Sequence, residues 1–186
     1  MRILIVTLAL LCAVFSCAAQ DKVVISDDPP PAAARYPVVR EVGGARVFYN
    51  QYKDETIART KSLTVYGGNM EGLSLSAEFT SKGKKVQEPS TVTLNIFYIG
   101  NDRIYVDDRT LKISVGDKDL IAGTSSFIGA NQSNVIIARL QKDITLSDFT
   151  TLSRATNVQM QIGPAKFALS EPTIQAFADL LKAIDR

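Results

Sequence analysis

The sequence predicts a mainly β fold: an antiparallel β-sandwich with a short helix and a C-terminal amphipathic helix packed on it. Three observations carry this expectation. From Ala45 onward, apolar and polar residues alternate with period two over several runs. Gly, Asn, Asp and Lys punctuate those runs at hairpin spacing. The period turns helical only near Ser147 and again after Ser170.

The chain has 186 residues, 46% of them hydrophobic, enough for one domain with a real core plus a leader. Residues 1–18 read as a signal peptide, because Arg2 precedes the apolar run ILIVTLALLCAVF and the small residues of SCAA follow it. That run falls short of the roughly 18 to 20 residues that span a bilayer. Residues 19–40 read as a tether, since Pro29, Pro30 and Pro31 fix φ and remove backbone donors. Residues 41–186 form the single sandwich domain.

Cys12 and Cys17 are the two cysteines, and both fall in or beside the leader. A chain cut after Ala18 or Ala19 therefore has no cysteine and no internal disulfide, which leans toward a bacterial envelope. Cys17 has two readings. VFSC puts an aliphatic residue at −3 and a small one at −1, as in an acylated lipoprotein cysteine, although Phe15 at −2 departs from that pattern. Ordinary cleavage with Ser16 or Cys17 at −3 fits equally well.

The strand candidates are ARVFYNQY, TKSLTVYG, EGLSLSAEF, TVTLNIFYIG, DRIYVDD, TLKISVGD and SNVIIARLQKDI, rich in Val, Ile, Leu, Thr, Tyr and Phe. In GLSLSAEF, Leu73, Leu75, Ala77 and Phe79 take the inner face while Ser74, Ser76 and Glu78 take the wet one. Phe97 and Ile99 break the polar side of TVTLNIFYIG, which marks a central strand. Turns are expected at Gly67-Gly68, Lys82-Gly83, Gly100-Asn101 and Gly116-Asp117. The count is about seven to nine strands.

A short helix is expected near 147–155, capped by Ser147 with Asp148 in its first turn. NVQMQIG and AKFALS make a hairpin around Gly163-Pro164. In SEPTIQAFADLLKAIDR, Ser170 caps a helix near 171–184 whose stripe of Ile174, Phe177, Leu181 and Ile184 must dock on the sheet. The expected core is Leu73, Leu75, Phe79, Leu94, Ile96, Tyr98, Ile136, Leu140, Val158, Met160, Ile162, Phe167, Phe177 and Leu181. The stretch LSDFTTLSRATNVQMQIGPAKFALSEPTIQAFADLL resembles the tail of uncharacterised bacterial exported proteins. That resemblance implies an envelope β-sandwich and brings no catalytic residues.

Absences restrict the chemistry. With no His, and no Cys after processing, Ser-His-Asp and Cys-His catalysis, the usual zinc sets and common haem or iron–sulfur ligation are excluded. A formal charge of +2 without a dense basic cluster argues against nucleic acid or an anionic membrane as partner; Lys82, Lys84 and Lys85 read as a solvated hairpin tip. Membrane contact is left to a lipid on Cys17. The best carboxylate set is Asp102, Asp107, Asp108, Asp117 and Asp119, which a glycosidase or a calcium ion would need converging on one point. Turn chemistry is the simpler explanation, because neighbouring Asp107 and Asp108 would face opposite ways on a strand. TSKGKK and TKSL lack the S-x-x-K form, and Gly67-Gly68 leads into a strand rather than a phosphate-binding helix. Phe48, Tyr49 and Tyr52 form the one dense aromatic cluster, and Asn131 sits in a glycosylation sequon.

No catalytic, cofactor or metal residues are therefore assigned. The favoured expectation is a non-catalytic exported module contacting another envelope or extracellular protein through a strand edge or sheet face. A carboxylate-dependent glycan-active enzyme is the first alternative, and a small apolar-ligand carrier built on a closed barrel is the second.

Overall fold

The computed structural model describes residues 38–67, 72–101, 104–132 and 135–184. The leader, Cys12, Cys17 and most of the expected tether lie outside the described residues. Two antiparallel sheets make the sandwich. The larger has eight strands in the order β1-β2-β3-β5-β6-β10-β9, with β4 also paired to β5; the smaller has four in the order β12-β11-β7-β8.

The first five strands form a meander: β1 (Val38–Val42), β2 (Ala45–Asn50), β3 (Glu55–Thr60), β4 (Leu63–Gly67) and β5 (Gly72–Lys82). Strand β5 is long enough to be shared. Its Glu78–Lys82 half bonds to β3 and its Gly72–Leu75 half to β4. After β6 (Thr91–Gly100) the chain leaves the large sheet through α1 (Ile104–Asp107) and makes the β7 (Thr110–Val115) and β8 (Lys118–Thr124) hairpin of the small sheet. It returns as β9 (Ser126–Gln132) and β10 (Val135–Thr145), turns through α2 (Leu146–Arg154), completes the small sheet with β11 (Val158–Ile162) and β12 (Ala165–Ala168), and ends in α3 (Glu171–Lys182).

The twelve strands among the described residues exceed the seven to nine expected, for identifiable reasons. Strand β1 begins at Val38, inside the stretch read as tether, and β3, ETIART, carries too few large apolar residues to stand out. Strands β8 and β9 are interrupted by glycine and serine. Within DRIYVDD, Ile104–Asp107 is corrected from strand to the single helical turn of α1, so no strand follows to make a hairpin at Gly100-Asn101. There the apolar alternation serves another purpose: Tyr105 turns inward and tilts onto Tyr98, ring centroids 4.6 Å apart.

The core follows the expected pattern. Leu73, Leu75, Leu94, Ile96, Tyr98, Leu140, Val158, Met160, Ile162 and Phe177 are each at most 2% exposed, with Phe79 and Ile136 also buried. Phe167 is only partly buried, because its ring stacks on Tyr66 of β4 at 5.5 Å where the two sheets meet.

Helices α2 and α3 cover the part of the large sheet that the small sheet leaves open; α2 packs on β6 and β10, and α3 on β1, β2, β3 and β5. Their own contact is anchored by Phe149 and Phe177, 5.3 Å between centroids. The cap of α2 is Thr145, not Ser147. Its hydroxyl accepts from the Asp148 backbone N–H at 3.1 Å and donates to the Asp148 carboxylate at 2.7 Å, a reciprocal cap that begins the helix two residues earlier. In α3, Thr173, Ala176, Phe177, Asp179 and Leu180 are buried, whereas Ile174 and Leu181 are only partly so. The buried face is rotated from the expected stripe because Asp179 points inward, where the Gly44 N–H awaits it at 2.8 Å.

Candidate functional site

The described members of the expected carboxylate set fall into two separate places. Asp102 lies outside the described residues. Asp107 ends α1 and Asp108 sits in the turn before β7, its carboxylate accepting the Thr110 N–H at 3.0 Å. That bond, with a further one from the Thr110 side chain, holds Asp108 below the usual aspartate value. Asp117 lies in the turn at the far end of β7, and Asp119 sits on β8 opposite Ser114. Asp119 pairs with Lys112 at 2.9 Å and accepts from the Ser114 hydroxyl at 2.9 Å, and these two partners lower its pKa. Strand β7 has six residues, so the two Asp groups are separated by roughly 20 Å at about 3.3 Å per residue. Among the described residues no group of three His, Cys, Asp or Glu side chains could hold a metal ion.

The aromatic cluster is also divided. Tyr52 is exposed in the β2–β3 turn. Tyr49 donates its hydroxyl to Asp54 at 2.8 Å, a bond that raises the tyrosine pKa, and lies under the Lys84 ammonium at 5.7 Å. An open groove of 510 Å³ runs between the ends of α2 and α3, lined by Ser153, Arg154, Ala178, Leu181, Lys182 and Ile184. It lies on the helical surface. The space between the sheets is taken up by Tyr98, Tyr105, Ile96, Leu111, Ile113 and Met160.

The solvent face of the large sheet is more organised than its sequence suggested. Arg59 on β3 donates to the Glu78 carboxylate on β5 through Nε at 2.7 Å and also through its terminal nitrogen. Arg139 on β10 approaches the other Glu78 oxygen at 3.4 Å and donates twice to Asn95 Oδ1, at 3.1 and 2.7 Å. Gln141 gives the same oxygen a third bond at 2.7 Å. Burial pulls the Arg139 guanidinium below its usual value, Glu78 opposes that, and nearby Arg59 adds to it. This belt is satisfied internally, so it fixes the sheet face rather than offering unsatisfied groups.

Beside the belt lies an apolar shelf. The register aligns Ile128 of β9 with Arg139, Arg139 with Phe97, and Ile137 with Ile99, all on the solvent face. Ile128 is 56% exposed and Val135 39%. Phe97, Ile99 and Ile137 are half-buried.

The shelf ends at β9, an edge strand of the large sheet; among the described residues no strand pairs with its outer side. Its sequence, SFIGANQ, has no charged residue. The other sheet-end strands are guarded: β1 carries Arg40 and Glu41, β8 carries Lys118 and Asp119, and the short β12 carries Lys166. Strand β4 is uncharged but bulged, with Tyr66 committed to Phe167. Charges, bulges and shortness are the usual protections of an open edge, and β9 lacks charge and is seven residues long. The sequence reading passed over β9, taking from that region only the sequon at Asn131. The available signal was the run from Leu120 to Ala138, which contains no charged residue.

Comparison of the chain with protein families, curated proteins and solved structures finds no match.

Proposed function

We propose that the protein is a non-catalytic exported module that binds an extended segment of an envelope or extracellular protein by strand addition at β9. The observation that carries this reading is the uncharged, seven-residue β9 edge continuous with the shelf of Phe97, Ile99, Ile128, Val135 and Ile137. Backbone groups along such an edge supply affinity, and apolar side chains on the shelf supply selectivity. Export rests on the leader at residues 1–18. The separation of Asp108 from Asp117 and Asp119 weighs against the glycan-active alternative, and the side chains filling the inter-sheet space weigh against the carrier.

The test places a photo-reactive residue at Ser126 on β9, or at Val39 on β1, in cells making the full chain. Adducts should form from position 126 and not from 39, and Ile128→Lys should reduce them about tenfold, the equivalent of some 1.4 kcal/mol. Equal labelling from both positions, or labelling indifferent to Ile128→Lys, would refute the reading. Cys17 is tested separately: the intact mass of the mature protein reports a lipid or its absence, and fatty-acid label surviving Cys17→Ala would exclude that cysteine as the attachment point.

A further inference from the structure

We infer that β1 is a releasable edge strand, held to the domain by a clasp from the last turn of α3. Four of its five residues are exposed and none is buried; Val38 is 44% and Val39 62% exposed. Its register with β2 is broken between Val38 and Arg40. A strand that offers the core only the partly buried Val42 and bonds along one side gains little from packing, so it opens at lower free energy than the core strands.

Two bonds to α3 offset that weakness. The Arg40 guanidinium donates to the Ala183 carbonyl at the C-terminal end of the helix, where the exposed carbonyls carry partial negative charge. The Gly44 N–H, in the turn joining β1 to β2, donates to Asp179 Oδ2 at 2.8 Å. Asp179 is itself fixed, because its other oxygen accepts from Gln175 at 2.9 Å and from Lys182 at 2.8 Å. Gly43 completes the fit. It has φ +57°, and a Cβ there would lie 2.3 Å from Asp179 Oδ2, so the turn sits against the carboxylate with no room for a side chain. The clasp joins the first strand to the last helix by charge-assisted hydrogen bonds with little apolar contact on the β1 side. This inference is independent of the β9 reading.

Hydrogen exchange of the full chain at constant pH tests it. In the parent, the amides that β1 and β2 share should exchange well before those between β3 and β5. Asp179→Asn and, independently, Arg40→Gln should each speed the β1 amides by about tenfold or more, as expected for loss of a hydrogen bond to a charged partner, while the β5–β6 amides keep their parent rates. Exchange of β1 as slow as that of β3 in the parent would overturn the inference. So would unchanged β1 rates in both variants, or acceleration spread equally over all strands.

Discussion

At one end of the large sheet, β1 carries Arg40 and Glu41, offers the core only the partly buried Val42, and is tied to α3 through Arg40 and the Gly44–Asp179 bond. At the other end, β9 carries no charge, continues an apolar shelf, and has no clasp among the described residues. The first edge is closed by polar contacts that specify one partner within the chain. The second is left with the features that other proteins remove from their edges. The difference shows that exposure alone does not mark an open edge: four of the five residues of β1 are exposed, yet Arg40 is already bonded to the end of α3.

The largest test of this contrast is the support beneath β1. Phe177 is 1% exposed and packs on Phe149, so Phe177→Ala should cost about 3–5 kcal/mol and lower the urea midpoint accordingly. A loss below about 1 kcal/mol would mean that α3 does not hold that half of the sheet.

Next is Gly43→Ala, which combines positive φ with a collision against a carboxylate that three bonds hold in place. A loss of about 2–3 kcal/mol is expected from strain and a broken clasp together. Gly116→Ala serves as the control, since it shares a positive φ of 58° but a Cβ there meets nothing within 4 Å. It should cost only about 1 kcal/mol, and equal losses at the two glycines would remove the clasp from the explanation.

A third test uses pH. Burial would raise the Asp179 pKa, but the bonds from Lys182, Gly44 and Gln175 outweigh it and hold the group below its ordinary value of 3.8. Because the folded pKa is the lower one, this contribution is fully present above the unfolded value and is lost as pH falls from there through the folded value. The urea midpoint should therefore drop as the pH is lowered below about 4. Asp179→Asn should be less stable by about 1–2 kcal/mol at neutral pH and should lack that part of the acid slope. A parallel acid slope in the variant would assign the loss to other carboxylates.

The fold was legible where side chains alternate in volume as well as polarity. GLSLSAEF and TVTLNIFYIG announced both their strands and their inner faces, and β6 is central as Phe97 and Ile99 implied. Legibility failed where one residue answers to a distant group. Asp179 falls outside the expected stripe of Ile174, Phe177, Leu181 and Ile184, and only the β1–β2 turn, which brings Gly44 to it, explains why it points inward. DRIYVDD has strand periodicity, but Tyr105 buries against Tyr98 from a helical turn. The candidate site was less legible than the fold, because an open edge is defined by what does not pair with it. In SFIGANQ the small and polar residues after Ile128 interrupt the apolar alternation, and the uncharged run from Leu120 to Ala138 marks the region without saying that it ends a sheet.

The smallest expected effect on stability separates the two edges most sharply. Ile128 is 56% exposed on the solvent face of β9, so Ile128→Lys removes little buried apolar surface and leaves the β9–β10 ladder intact. Its neighbour across the ladder is Arg139, a like charge for the new lysine, but Arg139 is already held by Asn95 and Glu78 on the side away from β9. The unfolding free energy should therefore change by no more than about 0.5 kcal/mol. The lysine should nevertheless act as the edge charge that β9 lacks, weakening strand addition about tenfold by replacing the apolar contact that Ile128 offers an added strand. Val39→Lys on β1, an equally exposed edge position, should leave both stability and binding unchanged. If Ile128→Lys instead destabilises the fold by 2 kcal/mol or more, a change of the size reserved for buried positions, the shelf is structural rather than a surface kept for a partner. The contrast between the two edges would then reduce to a difference in composition.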